Sequence, residues 1–110
     1  MDNQYVYLAG PYTLGDPTTN VQNMIEAAEA IIAADCIPYV PLLDHFWNTV
    51  YPHSYEFWVQ KNLAWIDRCD LVVRLPGKSK GADLECKYAH SIGKPVELYN
   101  DFIQKRCGNG

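Results

Sequence analysis

Glu85 occupies a position that calls for chemistry. The stretch from Asp70 to Val96 reads as a strand (Leu71 to Leu75), a turn rich in Gly, Pro and Ser (Pro76 to Gly81), a helix from about Ala82 to Ile92, and a Gly stop leading into another strand. At about 100° per residue, Ala82, Tyr88, Ala89 and Ile92 share one face of that helix, and Asp83, Lys87, His90 and Ser91 share the opposite one. Glu85 falls in the middle of the apolar face. A carboxylate there must be paired, hydrogen-bonded or protonated, because burying it bare costs several kcal/mol. Two arrangements meet that demand. One is a buried ion pair with Arg74 or Lys94. The other is a catalytic carboxylate at the mouth of a strand–turn–helix unit, where open α/β sheets bind ligands.

A second polar residue is misplaced in the same way. A helix from about Ser54 to Arg68 carries Tyr55, Trp58, Val59, Trp65 and Ile66 as its apolar stripe, and Asn62 lies inside it. Two such residues on two core-facing helices predict a shared polar pocket, although a buried backbone group would also satisfy Asn62. Other chemistries fit less well. Gly10 and Gly15 have the spacing of a phosphate loop, but Asp16 stands where that loop needs Lys. His45, His53 and His90 are too scattered for a metal-ligand motif, so no metal and no cofactor is expected. The four cysteines, Cys36, Cys69, Cys86 and Cys107, include no C-x-x-C pair and read as reduced thiols.

Composition limits the class. The 110 residues suit one domain with its own core, and 48% hydrophobic against 20% charged is globular rather than disordered. A net charge of −4, with nine Lys and Arg forming no run, argues against a nucleic-acid polymer as partner. A small anion held by backbone amides needs no net positive charge and remains open. No apolar run reaches a membrane-spanning length of about 18 residues and the N-terminus carries no signal-peptide pattern, so no membrane partner and a cytoplasmic location are expected.

The elements that must position these residues alternate. Gln4 to Ala9 is a β-rich run ended by Gly10 and Pro11. Asn20 to Ala34 carries Met24, Ala27, Ala28, Ile31 and Ile32 at helical spacing, with Thr19 or Asn20 as the cap. Ile37 to Val40 is a short strand, and Pro38 confines it to an edge or to a strand start. Phe46, Trp47, Tyr51, Tyr55, Phe57 and Trp58 then crowd the least regular segment, as a core lid, a subunit contact or a ring-stacking wall. Pro95 to Tyr99 is a fourth strand, followed by a partly helical tail. Alternation of this kind predicts an α/β, doubly wound, flavodoxin-like domain with a parallel sheet of four to five strands. Ligands then sit at the strand ends Ala9-Gly10, Val40-Pro41 and Leu75-Pro76.

YLAGPYT after the first strand, the W-x-x-x-N-L-A-W-I-x-x-C-D helix, and RLPGKSKGADLE ahead of A-x-x-x-G-K-P-V resemble the nucleoside 2-deoxyribosyltransferase-like superfamily. The similarity is to its short phage and bacterial branch, related to 2′-deoxynucleoside 5′-phosphate N-hydrolases, and spans nearly the whole chain. Its most specific element is S-x-G-x-x-x-E, met by Ser79, Gly81 and Glu85. The resemblance implies that Glu85 is the nucleophile at the anomeric carbon and that the Tyr7 hydroxyl orients it. It further implies that Gly10, Pro11, Tyr12 and Thr13 line the sugar and base, and that Ser79 and Gly81 hold a 5′-phosphate. Asp44, after the second strand, is placed with the substrate-binding residues. Asn62 departs from the pattern, because the family commonly has Asp there to handle the base. An amide hydrogen-bonds but exchanges no proton at neutral pH.

The implied chemistry suits these residue types. Displacing a base in two steps needs a carboxylate that forms a glycosyl-enzyme, which water or a second base then resolves. An apolar helix face raises that carboxylate's pKa, and a tyrosine hydroxyl bonded to the charged form lowers it. A turn at a helix N-terminus suits an anion, although Ser79 would equally cap that helix. The expected activity is cleavage or exchange of the N-glycosidic bond of a (deoxy)nucleoside or its 5′-monophosphate. The alternative is a nucleotide-binding protein without turnover. The expected partners are that small molecule and further copies of the same chain.

Overall fold

Short β-rich runs alternate with amphipathic ones along the chain, and each becomes an element. A computed structural model describes residues 4–11, 17–41 and 43–106, so Tyr12, Thr13 and Cys107 lie outside the described residues. The order is β1 (Tyr5–Ala9), α1 (Pro17–Ala33), β2 (Ile37–Tyr39), α2 (Leu43–Val50), α3 (Tyr55–Arg68), β3 (Leu71–Arg74), α4 (Lys80–Ser91), β4 (Val96–Leu98) and α5 (Tyr99–Arg106). Four strands form one parallel sheet in the order β2-β1-β3-β4. The fold is α/β and flavodoxin-like, as the alternation predicts.

Central β1 decides which residues face the site. Tyr7 sits opposite Tyr39 of β2 on one side and Val72 of β3 on the other. Side chains alternate along a strand, so Val6 and Leu8 turn to one face of the sheet and Tyr7 and Ala9 to the other. The first pair joins Met24, Ile31, Val73 and Phe102 in one buried cluster. The second pair joins Ile66, Val72, Ala82 and Ala89 in another, with α3 and α4 above it. Chain order reverses between β1 and β3, the switch point at which such sheets open a crevice.

Four local readings are corrected. Helix α1 begins at Pro17, so Thr19 and Asn20 lie within its first turn and do not cap it. Proline at a first helical position lacks only an N–H that would have no helical partner. Ile32, counted as apolar face, is exposed, whereas Met24, Ala27 and Ile31 are buried. The segment that looks least regular contains helix α2. Leu43, Phe46, Trp47 and Val50 have helical spacing, but all four face outward, between 44% and 71% exposed. In α3, Tyr55 and Trp65 are likewise exposed, and Ile66 and Asn62 are the buried members of the expected stripe. Pro38 lies on the edge strand β2, where its missing N–H is tolerated.

Candidate active site

Tyr7 points from the middle of the sheet toward α4, and Glu85 meets it one turn into that helix. The Tyr7 hydroxyl donates to Glu85 Oε2 at 2.8 Å, and Tyr7 itself is fully buried. Burial pushes the Glu85 carboxyl up to about 7. The Tyr7 hydrogen bond, the Arg74 charge and the nearby Asn62 amide oppose that rise, and the Asp44 charge adds to it. The ion-pair reading of Glu85 does not hold. Arg74 donates to Asp83 Oδ1 at 2.9 Å, to the Gly77 carbonyl at 3.0 Å and to the Leu75 carbonyl. Lys94 donates to the carbonyls of Asp67 and Cys69 at 3.1 and 2.6 Å. Both cations tie down backbone beside the site, and neither bridges Glu85.

The turn ahead of α4 is held against β1 by close backbone approach. A Cβ on Gly10 would meet Leu75 Cβ at 2.9 Å, so only glycine lets the ends of β1 and β3 come together. Gly77 has φ +112°, and a Cβ there would meet Pro11 Cγ at 3.0 Å. Ser79 caps α4, its Oγ accepting from the Ala82 N–H at 3.1 Å. That bond uses a lone pair and leaves the hydroxyl proton for another acceptor. A Cβ on Gly81 would meet nothing nearer than Ser79 Oγ at 4.0 Å, so the backbone there is open to approach.

The opposite wall comes from α2 and α3. Lys61 Nζ donates to Asp44 Oδ1 at 2.7 Å and to the Tyr39 hydroxyl at 2.9 Å. Burial pulls the Lys61 ammonium down, but these two hydrogen bonds outweigh it and its pKa is raised. Asp44 is 4% exposed and Asn62 7%, and Asp44 Oδ2 and Asn62 Oδ1 are buried without a hydrogen-bond partner. Trp58 is fixed by its indole N–H donating to Asn48 Oδ1 at 2.7 Å. Between the walls lies a cavity of about 600 Å³ that brings together Gly10, Pro11, Asp44, Asn62, Ser79, Gly81 and Glu85. Tyr7 braces Glu85 from below, and Tyr12 and Thr13 lie outside the described residues.

Asn48 and Lys80, not singled out in the sequence, also line this cavity with His45 and Lys78, and Lys61 stands behind Asp44. Lys61 and Asp44 sit on different helices, so no i, i+4 spacing announces their pairing. Among the described residues no three His, Cys, Asp or Glu side chains gather as metal ligands. Cys36, Cys69 and Cys86 are free thiols, and burial pushes Cys69 up to about 11. No helix among the described residues is long and apolar enough to cross a membrane.

Residues 4–98 match the family described as Domain of unknown function (DUF4406). The chain belongs to that family. No curated protein matches this DUF4406 chain. Among solved structures, it is similar to a 2-desoxiribosyltransferase from Leishmania mexicana, with a TM-score of 0.64 and 22% identity over 86% of this chain. It is also similar to a 2-deoxyribosyltransferase from the psychrotolerant bacterium Bacillus psychrosaccharolyticus, with a TM-score of 0.64 and 20% identity over 86% of this chain. It spans 63% of the Leishmania protein's length and 70% of the Bacillus protein's. The DUF4406 chain thus shares the fold of these two proteins.

Proposed function

We propose that the cavity cleaves or exchanges the N-glycosidic bond of a (deoxy)nucleoside or its 5′-monophosphate, with Glu85 as nucleophile. The observation that carries this reading is the Tyr7–Glu85 hydrogen bond at 2.8 Å on the floor of a cavity walled by a helix N-terminus. A Glu85 oxygen attacks the anomeric carbon, the bond to the base nitrogen breaks, and the base leaves with that electron pair. Water or a second base then attacks the same carbon, and the carboxylate departs as the leaving group. The Tyr7 hydroxyl holds the attacking carboxylate in place and favours its ionised form. Ser79, Gly81 and the free N–H groups at the start of α4 receive a 5′-phosphate, helped by the helix dipole. The proteins of similar fold, titled as 2-deoxyribosyltransferases, support this class of chemistry.

Asn62 favours a second reading, a nucleotide-binding protein without turnover. Its amide takes part in no proton exchange at neutral pH and so has none to give the leaving base. Incubation with a panel of nucleosides and 5′-monophosphates, followed by chromatography for free base, separates the two. Released base supports the enzyme. Ligand-induced thermal stabilisation with no free base supports the binder and ends the enzyme reading. A second copy of the chain is proposed as partner, covering the outward apolar stripe of α2.

A further inference from the structure

Two buried oxygens of cavity-lining side chains are left without hydrogen-bond donors. Lys61 holds Asp44 Oδ1 at 2.7 Å, which leaves Asp44 Oδ2 as the unpaired oxygen. Asn62 Oδ1, in the same cavity as Glu85, is likewise buried without a donor. A buried carboxylate oxygen and a buried amide oxygen without donors are costly, and each calls for an N–H or O–H from outside the protein. Both belong to the α2–α3 wall, across Glu85 from the Ser79–Gly81 turn. Trp58, locked by Asn48, lines the same cavity.

We infer that this wall selects nucleobases bearing an exocyclic amino group over bases with a carbonyl at the same place, through Asp44 Oδ2 and Asn62 Oδ1. The inference rests on the proposed function for orientation. A ligand with its anion at the turn and its anomeric carbon at Glu85 lays its base against the α2–α3 wall. An amino group brings two N–H donors to a wall that presents acceptors. A lactam base sets its carbonyl oxygen against two lone-pair-bearing oxygens, one of them charged, and its neighbouring ring N–H serves at most one of them. Sites built to hydrogen-bond a donor reject analogues lacking it much more strongly than apolar pockets reject shape changes.

The experiment compares ligand pairs in which an amino group beside a ring nitrogen acceptor is exchanged for a carbonyl beside a ring N–H: dCMP with dUMP, and dAMP with dIMP. Calorimetry gives affinity and chromatography gives base release for each. The amino member of each pair is expected to bind about 10- to 100-fold more tightly. Asp44→Asn keeps the Lys61 contact and turns a donor toward the base, so the preference should shrink or invert toward dUMP and dIMP. The wild-type ligand pairs stand whether or not that variant folds. Equal affinity within both pairs overturns the inference. Base release without amino preference overturns the inference and leaves the proposed activity standing. Amino preference in binding with no release from any ligand does the reverse, and no binding by any member defeats both.

Discussion

The Tyr7 hydroxyl and the Glu85 carboxylate, 78 residues apart in sequence, meet at 2.8 Å between the central strand and helix α4. That contact sets a balance within one side chain. Burial drives Glu85 toward its neutral form, and the tyrosine hydroxyl draws it back toward the charged form that a nucleophile needs.

Glu85→Gln should abolish base release and stabilise the fold at alkaline pH. The Glu85 carboxyl titrates near 7 in the folded protein against an ordinary value of 4.5. Between those values the folded state binds more protons than the unfolded one, so stability falls as pH rises through about 4.5 to 7. Glutamine carries no such dependence. At pH 8 the variant should exceed wild type by up to about 3 kcal/mol, and the gap should close below about pH 5. Urea denaturation at several pH values checks this. A variant less stable than wild type at pH 8 would mean that Glu85 holds the fold together through a charge partner.

The same balance predicts a pH–rate profile. Base release should climb with pH along an acidic limb centred near 7, where Glu85 ionises. Tyr7→Phe removes the hydrogen bond that favours the carboxylate, so the limb should move to higher pH and the rate at pH 7 should drop about tenfold. Recovery of that rate at pH 9 would separate a pKa effect from a misplaced nucleophile.

Ser79→Ala should act on both stability and binding. Loss of the cap on α4 should cost about 1 kcal/mol. Loss of the hydroxyl donor should weaken a 5′-monophosphate more than its parent nucleoside, measured by calorimetry. Equal weakening of both ligands would confine Ser79 to capping.

The outward stripe of α2 predicts self-association. Val50→Lys and Phe46→Lys place charges on a face that is 71% and 57% exposed at those positions, so a monomer should tolerate both. If a second copy covers that face, light scattering should show the wild-type oligomer dissociating in these variants.

The legible and illegible parts of this protein divide along a physical line. Glu85 stood out because a single carboxylate on an apolar helix face is visible from spacing alone, and β2 was an edge candidate because Pro38 cannot serve a central ladder. Helix α2 was hidden because it lies in an aromatic-rich run between prolines, and its apolar residues face out rather than toward a core. The Asp44–Lys61 pair was illegible for another reason. It joins two helices at 2.7 Å through tertiary placement, and no sequence period encodes such a distance. The rejected Glu85 ion pair shows the same gap. Arg74 and Lys94 have the right charge and neighbourhood, but backbone carbonyls claim both.

Asn62→Asp tests whether the cavity lacks only a proton donor. Asn62 is buried beside Glu85 on α3, with its Oδ1 unpaired. If base release is limited by protonation of the leaving group, an acid at this position should raise the rate by about 10²-fold, the low end for general acid–base catalysis. It should also add a descending limb as that acid ionises with rising pH. The substitution has an electrostatic cost, since it sets a third carboxylate near Glu85 and Asp44, and repulsion raises the pKa of at least one of them. In a pocket built to bind without turnover, repulsion alone remains, and affinity falls with no gain in rate. Paired pH–rate profiles and calorimetry on the tightest 5′-monophosphate distinguish these outcomes. A variant identical to wild type in rate, affinity and pH dependence would place Asn62 outside the working site and dissolve the shared pocket of α3 and α4.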